Sequence, residues 1–282
     1  MTTHKNNKKK EPKEISYKFR FYNIVIQPVG KQSPENYEML FRKMFEKNTP
    51  VNVVGKNYLK FKSMDFNEGM ITGQVVKYMI LDGKDWYNSE TNEIENIDVD
   101  PSLHPNVKVA DYAFSTKYHR MALSAEISVA QALKFIDALI AIATYGTGLE
   151  VKTNVISTHQ SIENIRTAKD VTKLIIQLSY SNGDNYDEWD ALMDNDMKDS
   201  DVRDLKIEAS STRGNPLKID KSRMLSSALA LARNNGIASA TVYENGYRQV
   251  LSTQSSPEEK TIKSPDRAGV LSQFKDLIAS II

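Results

Sequence analysis

The chain has 282 residues, 40% of them hydrophobic, and its 37 basic against 36 acidic residues give a formal net charge of +1. Near-neutrality excludes the strongly cationic profile of small, purely electrostatic nucleic-acid binders, although a basic face balanced elsewhere remains open. The absence of cysteine excludes disulfides, thiolate metal centres, iron–sulfur clusters and cysteine nucleophiles.

Residues 1–14 carry Lys5, Lys8, Lys9, Lys10 and Lys13 and are expected to form a disordered basic tail. No apolar stretch follows, so the segment does not read as a signal peptide. The longest apolar run, 138–144, is far short of the roughly 20 residues that span a bilayer, which points to a cytoplasmic protein.

From residue 15 a period of two sets in: Ile15, Tyr17, Phe19 and Phe21 alternate with Ser16, Lys18 and Arg20, the pattern of a half-buried strand. Ser33-Pro34 then offers an N-cap and a first-turn proline for a helix that places Tyr37, Leu40, Phe41, Met44 and Phe45 on one face. Strands are expected at 51–54, 58–66 and 70–81, the last two joined by a turn at Asn67-Glu68-Gly69. The polar stretch 82–106 reads as a long loop holding a short hairpin. An antiparallel pair follows at 107–115 and 119–125. Ser128 caps an apolar helix through Ala132, Leu133, Phe135, Ile136, Leu139 and Ile140, and Gly146-Thr147-Gly148 ends it.

A domain boundary is expected at these glycines, giving an N-terminal unit over 15–146 and a C-terminal one over 149–282. In the second unit, strands at 150–157 and 173–180 flank a helix near 162–168. The segment 184–201 is acidic and helical around Trp189, Leu192 and Met193. A strand at 205–209 precedes a helix at 222–234, which Asn235-Gly236 terminates. A hairpin over Asn245-Gly246 joins 238–243 to 247–252, and an amphipathic helix covers 267–282. The reading is an α+β protein of two domains, each a largely antiparallel sheet packed against helices.

With Tyr17, Phe19 and Phe21 inward, Lys18, Arg20 and Tyr22 point outward; with Leu59 and Phe61 inward, Tyr58, Lys60 and Lys62 do. As neighbours these strands would display two lysine–aromatic ladders on one surface, suited to phosphates and stacked bases. The ordinary alternative is a solvated sheet face. Lys117-Tyr118-His119-Arg120 adds two cations, a ring and an imidazole at a strand start, with no partnered nucleophile in sight. Arg213-Gly214-Asn215-Pro216-Leu217-Lys218, then Lys221 and Arg223, lies between a strand and a helix. There a glycine admits close backbone approach and a helix N-terminus favours anions, though the P-loop spacing is absent. The acidic run from Asp184 to Asp204, including Asp187, Asp190 and Asp194, lacks the calcium-loop pattern and reads as a solvated helix face or a protein-docking surface. Glu150-Val151-Lys152 matches a magnesium-nuclease fragment, but its nearest upstream aspartate, Asp137, lies inside an apolar helix.

The order of elements, with Val54-Gly55-Lys56-Asn57-Tyr58-Leu59-Lys60, the Lys117-Tyr118-His119-Arg120 segment and residues 211–220, resembles a bacterial family classed under a domain of unknown function. More distantly, Asn57-Tyr58-Leu59 and the overall length are similar to RexA-type phage-exclusion proteins. That resemblance implies a two-domain, DNA-binding homodimer in antiviral defence.

The function expected from the sequence is therefore non-enzymatic binding of nucleic acid, chiefly DNA phosphates, in phage defence, without catalytic residue, metal or cofactor. The contacts expected are Lys18, Arg20, Tyr58, Lys60, Lys62, Lys117, Arg120, Arg213, Lys218, Lys221 and Arg223. The alternatives are docking of a protein partner through 184–204 and metal-dependent nuclease activity at Glu150.

Overall fold

The computed structural model describes residues 14–81, 83–179, 188–212, 214–244 and 246–281. The expected basic tail, apart from Glu14, and Arg213, Asp184 and Asp187 lie outside these residues. The chain is α+β, built on two antiparallel sheets.

The first sheet starts with β1 (Ile15–Gln27). Its residues alternate as expected, but both faces are buried: Phe19 and Phe21 on one, Tyr22, Ile24 and Ile26 on the other. Tyr22, expected to face outward, is fully enclosed, which pushes its phenol well above the usual range. The helix α1 (Pro34–Glu46) begins where Ser33 accepts a hydrogen bond from the Asn36 amide, with proline at its first position. After it come β2 (Val51–Val54), β3 (Asn57–Asn67) and β4 (Met70–Met79). The small hairpin β5 (Asp85–Asn88) and β6 (Glu93–Asn96) is followed by β7 (Lys108–Ser115) and β8 (Arg120–Ser124). Ser128 caps α2 (Val129–Thr144), which buries Phe135, Ile136, Leu139 and Ile140. With α1 it covers one face of the sheet and closes the largest core. Each such side chain contributes about 1.5–3 kcal/mol when fully buried.

The boundary expected at 146–149 does not divide the cores. β9 (Glu150–Val155) pairs with β1 over residues 22–27, so it completes the first sheet. Only then come α3 (His159–Arg166), β10 (Val171–Leu178), α4 (Glu188–Asp199), β11 (Leu205–Ser210), α5 (Arg223–Asn235), β12 (Gly236–Glu244) and β13 (Tyr247–Ser252). These form the second sheet, in the order β11-β10-β12-β13, with its own core under α3 and α5. The chain then returns. β14 (Glu259–Ser264) pairs with residues 15–20 of β1, and α6 (Arg267–Ala279) packs Val270, Phe274 and Ile278 on Phe19 and Phe21. The first sheet reads β14-β1-β8-β7-β4-β3-β2, with β9 sharing the β1 edge that β14 occupies. The second unit is thus an insertion, its two ends joined by the bridge between Ser157 and Pro257.

Gly236 does not cap α5 in a left-handed conformation. Its backbone is extended at φ 179° and opens β12 directly. A Cβ there would lie 2.1 Å from the Gln177 carbonyl oxygen, so glycine is needed for strand contact. Among the described residues no helix is long and apolar enough to cross a membrane.

Candidate nucleic-acid interface

Residues opposed on antiparallel strands share a face, so pairing registers fix which side of the sheet each cation occupies. Arg20 stands opposite Leu123, Leu123 opposite Tyr112, and Tyr112 opposite Gly73. That row lies on the α1 and α2 side. Lys60 stands opposite Val76, an odd number of residues from Gly73, and so lies on the other side. Three strands (β8, β7 and β4) separate β1 from β3, about 19 Å at the usual strand spacing. The two expected ladders therefore do not combine: they are distant and on opposite faces.

Lys18 and Arg20 are also neutralised. The Lys18 Nζ lies 3.1 Å and the Arg20 Nε 2.8 Å from the two carboxylate oxygens of Glu259. Arg20 further donates to the Ala125 and Ile127 carbonyls at 3.1 Å each. Partial burial opposes ionisation of Glu259, but the Lys18 and Arg20 hydrogen bonds outweigh it and hold its carboxyl below the usual range. β14 carries this glutamate in a stretch with a single large apolar residue, Ile262, and sequence periodicity does not reveal it.

Arg120, expected at the surface, lies inside. It is 1% exposed and donates to the Ile281 carbonyl, so its guanidinium belongs to the interior. His119 beside it has φ 54° and stacks on Tyr37 at 4.2 Å. Lys117 is exposed, with its ammonium 5.0 Å from the Tyr118 ring. Lys218, Lys221 and Arg223 are exposed in the second unit. Ser222 there caps α5 by accepting from the Leu225 amide, and the Arg223 guanidinium lies 4.6 Å over Trp189. In the acidic segment, Asp194 is buried against Lys198 at 2.6 Å, which removes it from any docking surface.

The nuclease fragment shows a different geometry. Asp137, Glu150 and Lys152 do line one recess between α2 and β9, together with Arg203 and Asp204. Glu150 pairs with Arg203, however, and Lys152 with Asp204. Asp137 is exposed along one side, yet desolvation in the recess pushes its carboxyl up, against the pull of Thr153 and Lys152. Among the described residues no group of three His, Asp or Glu side chains could hold a metal ion.

What the fold does assemble is an aromatic stack beside two lysines. Tyr58 of β3 stands opposite Tyr78 of β4, with ring centroids 6.4 Å apart and planes 22° apart. Tyr78 stacks in turn on His104, 4.7 Å away and tilted by 11°. His104 comes from the polar loop after β6, drawn in where the Met79 amide donates to the Pro105 carbonyl at 3.0 Å. No local pattern marks it. Next to this stack Lys60 is half-buried and Lys62 exposed. A bulge between Phe61 and Ser63 lets the Lys62 ammonium reach Gln74 Oε1 at 2.8 Å. Gln74 donates to Asp111, whose other oxygen pairs with Arg267 at 2.9 Å. The outcome is a half-face of sheet with a stack whose central ring, Tyr78, is buried and whose outer rings, Tyr58 and His104, are half-buried. Beside it lie two lysines without a carboxylate partner among the ion pairs of the described residues and the polar row of Gln74, Asp111 and Arg267.

The family model described as Domain of unknown function (DUF4747) matches residues 16–279, and the chain belongs to that family. No curated protein matches it.

Proposed function

We propose that this member of the family binds single-stranded nucleic acid across the open half of its larger sheet, without catalysing a reaction on it. The reading is carried by one observation, the Tyr58–Tyr78–His104 stack flanked by Lys60 and Lys62. The outer rings, Tyr58 and His104, supply faces on which bases of any sequence can stack, and the ammonium groups meet the phosphates between them. A duplex keeps its base faces covered and offers the stack nothing, so a single strand is the better fit. Lys18, Arg20 and Arg120 have no part in it: the first two are held by Glu259 and the third is interior. A role in phage exclusion rests on the RexA-type resemblance of Asn57-Tyr58-Leu59 and of the overall length.

The test is fluorescence anisotropy with labelled twelve-nucleotide single strands of DNA and RNA, and the corresponding duplex, across a salt series. Wild type binds the single strands more tightly than the duplex. The Lys60→Glu, Lys62→Glu double variant weakens single-strand binding about tenfold or more. It also lowers the slope of log affinity against log salt by about 1.4, the share of two phosphate contacts. Lys18→Glu serves as control and stays within about twofold of wild type, as expected of a group outside the interface. Equal affinity of the double variant and wild type at moderate salt overturns the reading.

A further inference from the structure

The stack points somewhere. His104 is its last ring, and it also lines a pocket of about 480 Å³ formed within the segments 80–81 and 83–105. That size is within the range of small-ligand sites. Leu81, Trp86, Ile97 and Leu103 line its wall and are 39%, 38%, 43% and 65% exposed. Large apolar side chains gathered around a cavity and still open to solvent mark a binding surface. Asp100 is in the same lining. Both nearby donors, the Ser102 amide at 2.8 Å and its hydroxyl at 2.7 Å, go to Oδ1, leaving Oδ2 to accept from a ligand. Those hydrogen bonds hold the carboxyl below its usual range, so at neutral pH it only accepts.

We propose that this pocket receives one unstacked nucleobase of the bound strand, with His104 and Trp86 supplying ring contacts and Asp100 accepting from an amino group on the base edge. The inference rests on the reading above and extends it by one specific subsite. A nucleobase fits the three features together. It has two apolar faces for the rings, a polar edge that donates, and a covalent link to phosphates that lie along the lysine rows. An aliphatic ligand would leave Asp100 without a donor, and an anionic one would face Asp100 while the Lys84 ammonium in the same lining is already paired with Asp98.

The experiment uses the full chain with Trp189→Phe, which leaves Trp86 as the single tryptophan of the sequence. A twelve-residue deoxyadenosine strand is added while Trp86 emission and the anisotropy of a label on the strand are both followed. A base in the pocket quenches Trp86 in step with binding. Leu103→Glu, a change at an exposed position that leaves the core intact, weakens affinity at least about fivefold, the low end of one stacked base. It also removes the quenching. Lys60→Glu with Lys62→Glu lowers affinity but keeps the quenching at saturation. A strand that binds with Trp86 unchanged, and with Leu103→Glu within twofold, overturns the pocket while sparing the sheet interface. No binding of any strand overturns both.

Discussion

The side-chain amide of Asn23 in β1 donates to the side-chain oxygen of Asn235 at the end of α5, at 2.5 Å, and both residues are buried. This bond crosses from the first sheet to the inserted unit. Asn154 adds a second link by donating to Ser179 Oγ at 3.1 Å, and the Ser157 amide a third, to the Arg233 carbonyl at 2.9 Å. The joint is polar, so it is specified by donor and acceptor geometry rather than by apolar area.

Asn235→Ala is therefore expected to cost about 1–3 kcal/mol, because it removes the closer of the two acceptors of the buried Asn23 amide and leaves the longer bond to the Asn234 carbonyl. Urea denaturation followed by circular dichroism measures this. A loss below about 0.5 kcal/mol would mean that the joint relaxes or admits water.

Glu259→Gln tests the ion pairs that silence Lys18 and Arg20. At pH 7 it should lower stability by about 0.5–1 kcal/mol, the upper part of the range for partly exposed pairs. The carboxyl is depressed in the folded state, so its contribution is present above the unfolded carboxylate range and is lost as pH falls through the folded value. Wild type and variant should converge below about pH 4. A gap that persists unchanged in acid would assign the effect to packing.

Asp137 behaves in the opposite sense. Its folded carboxyl is raised, so ionising it costs stability as pH rises through that range. Asp137→Asn should melt at a higher temperature than wild type at pH 7, with the advantage vanishing in acid. A lower melting temperature at pH 7 would show that the ionised form is held by Lys152 and Thr153 more strongly than the recess opposes it.

Local structure was legible wherever a side chain acts on its own neighbourhood. The caps Ser33 and Ser128 sit where the sequence places them, and the expected hairpin pairs Glu244 with Tyr247. Faces were not legible. Period two tells which residues of a strand go together, and it is silent on which strand lies beside it or whether both sides are covered. Tyr22 is buried because α1 and α2 cover the side that the alternation assigns to solvent. Arg120 is buried because its acceptor, Ile281, lies 161 residues further on. Of the aromatic stack and the lysines beside it, Tyr58, Lys60 and Lys62 could be named from the strand. Tyr78 and His104 could not be singled out, since their stacking exists only in the folded contact.

The return of β14 and α6 sets an order on how this protein can be made. β1 leaves the ribosome long before the strand that flanks its residues 15–20 and the helix that covers Phe19 and Phe21. Until then a long β edge and two aromatic rings stand uncovered, the condition under which nascent chains associate with one another. The inserted unit, with its own core, is complete before that moment. Its polar joint to β1 gives the waiting strand a partner until β14 and α6 arrive.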